Sequence, residues 1–68
     1  MAYVAVDGNI NGDENIYDEK PYRGKEKEHF KREWYTNGAW VTLPKGSIKK
    51  LICRQLTWED EPVELLDD

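Results

Sequence analysis

The stretch Phe30-Lys31-Arg32-Glu33-Trp34-Tyr35-Thr36-Asn37-Gly38-Ala39-Trp40-Val41-Thr42-Leu43 decides the fold. Two β-prone runs, 30–35 and 39–43, flank Thr36-Asn37-Gly38. Asn-Gly at the centre of a two-residue loop is the strongest local mark of a hairpin, because a type I′ turn needs φ > 0 at both central residues. Such a turn sets the register. Tyr35 faces Trp40, Trp34 faces Val41, Glu33 faces Thr42 and Arg32 faces Leu43. Side chains alternate between the faces of a strand. Trp34, Ala39, Val41 and Leu43 therefore share one face, with the Arg32 stem and Phe30 further along. Tyr35, Trp40, Thr42, Glu33 and Lys31 share the other.

Large aromatics thus stand on both faces, whereas a sheet with one wet side is apolar on one face and polar on the other. The Trp34/Val41/Leu43 face is assigned to the core. Tyr35 and Trp40 then make a cross-strand pair on the second face, flanked by Lys31, Glu33 and Thr42. Such a pair contributes roughly 0.2–1 kcal/mol to a sheet, so a structural role under a loop or the C-terminus is one reading. The other is an exposed aromatic anchor, the residue type that dominates binding hot spots.

Working outward, Ala2–Val6 is a short apolar run suited to a buried strand. Residues 7–14 are dense in Asp, Asn and Gly, which read as a turn. Asn15–Glu19 reads as a second strand packing through Ile16 and Tyr17, ended by Pro21, so the N-terminus forms a hairpin. Tyr22–Glu28 reads as a solvated loop, with a short charged helix at 25–32 as the alternative. Pro44 closes the central hairpin, since Pro cannot sit inside a central strand. Ser47 is placed to N-cap a helix reaching Arg54, whose apolar face is Ile48, Leu51 and Ile52 at i, i+3 and i+4. Lys50 and Arg54 form a basic ridge on it, with Lys49 also pointing outward. Thr57–Pro62 is a turn carrying a Trp58 core anchor, Val63–Leu65 a final strand, and 66–68 a frayed tail. The expected fold is mainly β (α+β). Two antiparallel hairpins share one core as a small twisted sheet or a partly open SH3-like barrel, completed by the helix and last strand.

With 68 residues and 8.0 kDa, the chain is read as a single domain. Apolar residues make up 38% and charged residues 35%. No run approaches the roughly 18 apolar residues of a membrane span. The N-terminus lacks the basic region of a secretory signal, and a lone cysteine forms no internal disulfide. A cytoplasmic location without membrane contact is expected. The net charge of −4 hides a segregation. All ten Lys and Arg lie between Lys20 and Arg54, with five acids before them and six after. Either the ends neutralise the middle, or an acidic and a basic face persist and one of them steers a partner.

The stretches Leu43-Pro44-Lys45-Gly46-Ser47-Ile48-Lys49-Lys50-Leu51-Ile52 and Leu56–Leu65, with Tyr3-Val4-Ala5-Val6-Asp7 and Asn11-Gly12-Asp13-Glu14, resemble small phage, prophage and mobile-element proteins of bacteria. The resemblance covers most of the chain. It implies a cytosolic, non-enzymatic accessory role and assigns nothing to particular residues.

Few residues offer chemistry. Asp7, Asn9, Asn11 and Asp18 fall at positions 1, 3, 5 and 12 of a calcium-loop spacing, with Gly12 at position 6. Against it, Asp18 is short for a bidentate ligand, Glu14 stands where an apolar residue packs, a strand precedes the loop and Pro21 blocks a following helix. A plain hairpin loop accounts for the same residues. Cys53 and His29 are the sole nucleophile–base candidates, and their spacing does not bring them together. They are also too few for a structural zinc site. Cys53 reads as a half-buried small hydrophobe. No cofactor and no catalysis are expected.

The leading expectation is a non-catalytic protein-binding module that regulates or inhibits a larger protein through Tyr35, Trp40, Lys31, Glu33 and Thr42. In one variant, Glu59, Asp60, Glu61, Glu64, Asp67 and Asp68 mimic the charge of a nucleic acid. The alternative is a small β-barrel binding single-stranded nucleic acid, with Lys25, Lys27, Lys31, Arg32, Lys49, Lys50 and Arg54 around Tyr35 and Trp40. The acidic balance argues against that. A homodimer pairing two Tyr35/Trp40 faces is a further expectation.

Overall fold

The computed structural model describes residues 2–8, 10–23 and 32–66. Strand β1 (Ala2–Val6) pairs antiparallel with β2 (Glu14–Tyr17), so the N-terminal hairpin forms as read, though β2 starts one residue earlier and stops at Tyr17. Then come β3 (Tyr22–Arg23), β4 (Trp34–Tyr35), β5 (Trp40–Leu43), helix α1 (Ser47–Ile52) and β6 (Val63–Leu65). The protein is mainly β with one short helix. Its strands lie in two sheets: a four-stranded one of order β5-β2-β1-β6 and a two-stranded one of β3 and β4. Neither closes into a barrel, so the SH3-like alternative is not realised.

The central hairpin is not formed. Its two arms belong to different sheets: β4 pairs with β3, and β5 pairs with β2. The predicted partners Tyr35–Trp40, Trp34–Val41, Glu33–Thr42 and Arg32–Leu43 are replaced by Tyr22–Tyr35, Arg23–Trp34, Tyr17–Trp40, Ile16–Val41, Asn15–Thr42 and Glu14–Leu43. The local reason is that neither Asn37 nor Gly38 adopts the positive φ of a type I′ turn. Thr36 Oγ1 instead accepts the Gly38 amide at 3.1 Å, an open bend that lets the chain cross between sheets. A Cβ on Gly38 would meet the carboxylate of exposed Asp18, the end of a side chain that can move aside. β3 corrects the loop reading of Tyr22–Glu28 at its first two residues. The rest of that loop, and nearly all of the alternative helix at 25–32, lie outside the described residues.

The register explains the aromatic residues on both faces. Val4, Ile16 and Val63 share one face of the large sheet, where Ile48 and Leu56 complete a core with Val6, Ile52 and Leu65. Ala5 and Tyr17 share the opposite face, under Trp34, with Tyr3 and Trp58 packed against them. The sheet is covered on both sides, by α1 on one and the small sheet on the other. Trp34 and Val41 therefore sit on opposite sides, not on the single core face expected. The choice of core indole is as read: Trp34 is 7% exposed and Trp40 is 55% exposed. Arg23 lies over both the Trp34 ring (4.3 Å) and the Trp58 ring (4.5 Å), and its guanidinium reaches Glu61 at 3.6 Å.

Ser47 does not cap α1. Gly46 holds the N-cap position at φ 89°, and the Ser47 hydroxyl donates to the Pro44 carbonyl. Glu14 does the capping from β2, its carboxylate accepting the amides of Gly46 (2.8 Å) and Ile48 (2.9 Å). A charged acceptor from another strand thus satisfies donors that a helix start leaves free, and it complements the helix dipole. The helix ends at Ile52, two residues early, because Cys53 turns left-handed at φ 63° and its amide closes on the Lys49 carbonyl. Cys53 is exposed rather than half-buried, and so is Leu51. β6 has the predicted limits, while Asp67 and Asp68 lie outside the described residues.

Candidate functional site

The small sheet roofs the β1 side of its face and leaves the β5 side open. Between the two lies an open cleft of about 280 Å³ lined by Asp7, Asp13, Asn15, Tyr17, Glu33, Trp34, Tyr35, Thr36, Trp40 and Thr42. The floor is β2, through Asn15 and Tyr17. One wall is the segment Glu33–Thr36, and the other is β5 through Trp40 and Thr42. The Trp40 ring stacks beside Tyr17 with centroids 6.4 Å apart.

A buried polar network holds the two walls at their spacing. Asp7, 8% exposed, accepts the Trp34 amide on Oδ1 and the Asn15 side-chain amide on Oδ2, both at 3.1 Å. The Trp34 indole N–H donates to the Val6 carbonyl at 3.0 Å, and Gly8 donates to the Arg32 carbonyl at 2.6 Å. Asn15, 2% exposed, also donates to the Tyr17 hydroxyl (3.1 Å) and accepts the Thr42 hydroxyl (2.8 Å). Each polar group of Asn15 is thereby used, which is the condition for tolerating a buried amide. Burial pushes the Asp7 carboxyl above its ordinary value, against the lowering by its Trp34 and Asn15 donors, and nearby Glu33 and Asp13 raise it further. Burial likewise pushes the Tyr17 hydroxyl up to about 12, only partly offset by Asn15. Tyr35 packs on Tyr22 at 6.3 Å, and its buried hydroxyl has no hydrogen-bond partner among the described residues.

Four of the five predicted contact residues, Tyr35, Trp40, Glu33 and Thr42, do meet at this cleft, from two sheets instead of one hairpin. Lys31 lies outside the described residues, as do His29, Lys25 and Lys27. Sequence reading did not bring Asp13, Asn15 or Tyr17 to a site, and it offered Asp7 only as a calcium ligand. The one available signal was a polar Asn15 inside an otherwise packable strand. The charged lining residues are all acids. The basic candidates Lys49, Lys50 and Arg54 are exposed on or just after α1, which packs on the other side of the large sheet. Of the acidic-mimic residues, Asp60 is engaged with Thr57 at 2.8 Å and Glu61 with Arg23, so they do not form a free row.

The calcium spacing does not assemble. Asp7 is committed to Trp34 and Asn15, and its amide bonds to the Asp13 carbonyl at one end of β2. Asp18 sits past the other end, roughly 16 Å further along at about 3.3 Å per residue. Asn9 lies outside the described residues. Among the described residues no group of three or more His, Cys, Asp or Glu is placed to hold a metal. None of their helices is long and apolar enough to cross a membrane. No protein-family model, curated protein or solved structure matches the chain.

Proposed function

We propose that the chain is a small non-catalytic module that binds a larger protein through the cleft between its two sheets, and so regulates or inhibits it. The observation carrying this reading is Trp40: a large ring left 55% exposed at the lip of a cleft whose other walls are held rigid by a buried network. Rigid aromatics beside a polar floor are what protein-binding hot spots are made of. The lining favours this over the nucleic-acid reading. A single strand laying its bases on Trp40 and Tyr35 would bring phosphates toward Asp13 and Glu33, while Lys49, Lys50 and Arg54 lie across the sheet. It also disfavours a dimer joined cleft to cleft, which would set like carboxylates against each other.

The test compares tagged wild-type chain, Trp40→Ala and Val41→Thr for proteins retained from extract of the native host. Val41 lies on the opposite face of the same strand, so its variant controls for general stickiness. A partner kept by wild type and Val41→Thr but lost by Trp40→Ala supports the reading. Equal retention by all three removes it.

A further inference from the structure

β5 is an edge strand, and its hydrogen-bonding phase follows from one contact. The Asp18 amide donates to the Ala39 carbonyl at 3.1 Å, so residue 39 bonds inward to β2. Bonding direction alternates along an antiparallel ladder. Ala39, Val41 and Leu43 therefore face β2, and the main-chain N–H and C=O of Trp40 and Thr42 point out of the sheet. The strand carries no charge and no proline, the usual protections of a free edge. The opposite edge, β6, carries a charge within the strand, at Glu64. Side chains of Trp40 and Thr42 lie on the cleft face. A residue pairing with either one puts its own side chain on that same face.

Building on the protein-binding reading, we propose that the occupant is an extended segment of the partner that adds as a strand to β5 and lays an arginine side chain over Trp40 into the cleft. Two independent features converge on this. The outward groups of Trp40 and Thr42 accept any extended backbone, which is how strand addition gains affinity without sequence preference. The cleft beside them supplies the preference: an exposed indole face for a planar cation, with Asp13 and Glu33 behind it and no basic residue in the lining. Neither the Asp13 nor the Glu33 side chain is engaged in a described hydrogen bond or ion pair.

The experiment is an amide-resolved NMR titration of the full chain with the capped peptide Thr-Val-Thr-Arg-Thr-Val-Thr. Two companions are used: one with norleucine for arginine, the other N-methylated at the arginine and at the residue two along. The arginine peptide is expected to shift the Trp40 and Thr42 amides and the Trp40 indole. The norleucine peptide should bind roughly tenfold more weakly, the scale of a partly desolvated cation–π contact backed by carboxylates. N-methylation should abolish binding, and Asp13→Asn with Glu33→Gln should erase the preference for arginine. Equal binding of arginine and norleucine peptides overturns the cation assignment but leaves protein binding standing. No shift at Trp40 and Thr42 up to millimolar arginine peptide overturns strand addition. The Trp40→Ala capture experiment then decides separately whether the cleft binds protein at all.

Discussion

Asp7, at the end of β1, accepts the backbone amide of Trp34 at 3.1 Å across 27 positions of sequence, and through this contact the small sheet is tied to the large one. The same carboxylate accepts Asn15, so replacing Asp7 by Asn keeps one acceptor and turns an NH2 group against the Asn15 amide. Two buried donors then face each other, and a loss of about 1–3 kcal/mol is expected in urea unfolding. The effect depends on pH. Because the folded pKa of Asp7 lies above its ordinary 3.8, the native state holds the proton more tightly than the unfolded chain. Wild-type stability relative to Asp7→Asn should therefore fall as pH rises from 3.8 through the raised value. A constant difference over that range would show that the carboxyl is not desolvated.

Tyr17 provides the alkaline counterpart. Its hydroxyl is neutral in the fold up to about 12, whereas in the unfolded chain it ionises near its ordinary 10. The native state again binds the proton more strongly, so stability is intact below 10 and lost progressively toward 12. Tyr17→Phe should remove that part of the decline, at a neutral-pH cost of about 1 kcal/mol for the lost Asn15 contact. Paired denaturant titrations between neutral and strongly alkaline pH measure both effects.

Gly8 is fitted against Trp58. A Cβ at this position would stand 2.5 Å from Trp58 Cγ and 2.9 Å from its Cβ, atoms close to the main chain that do not swing aside. Gly8→Ala should displace Trp58 from its place beside Trp34 and Arg23. The expected loss is about 1–3 kcal/mol, with a change in tryptophan emission. Gly38→Ala, whose clash is with the exposed Asp18 carboxylate, should be the milder of the two in thermal melts.

The two indoles of the central stretch should behave oppositely. Trp34→Ala empties a buried site and strands the Val6 carbonyl, a cost of about 3–5 kcal/mol, enough to unfold a chain this small. Trp40→Ala removes an exposed ring and its stack on Tyr17, a cost of about 0.5–1.5 kcal/mol. Circular dichroism melts of both variants check the ranking, and a Trp40→Ala chain that fails to fold would make the ring part of the core.

What was legible in the chain was local. The apolar run at 2–6, the turn formers after it, the Ile48–Ile52 spacing and the alternation at 63–65 each report a conformation through neighbours a few residues away, and each element formed. Exposure of Trp40 and burial of Trp34 were also reached, although by way of a pairing that does not exist. The partners of the two central arms were not legible, since Asn37-Gly38 signals a hairpin only if its arms have no better neighbours. β5 meets β2, where Asn15 takes the Thr42 hydroxyl and Tyr17 meets the Trp40 ring, while Trp34 is claimed by Asp7 and Val6. Those contacts join residues more than twenty positions apart, and no periodicity encodes them. The amino-acid order thus determined which segments extend, turn and coil, because propensity acts over a single turn or pleat. Beyond the β1–β2 hairpin, the tertiary structure alone decided which strands lie side by side and that acids and aromatics converge in one cleft, because buried hydrogen bonds and ring packing are satisfied only once distant segments meet.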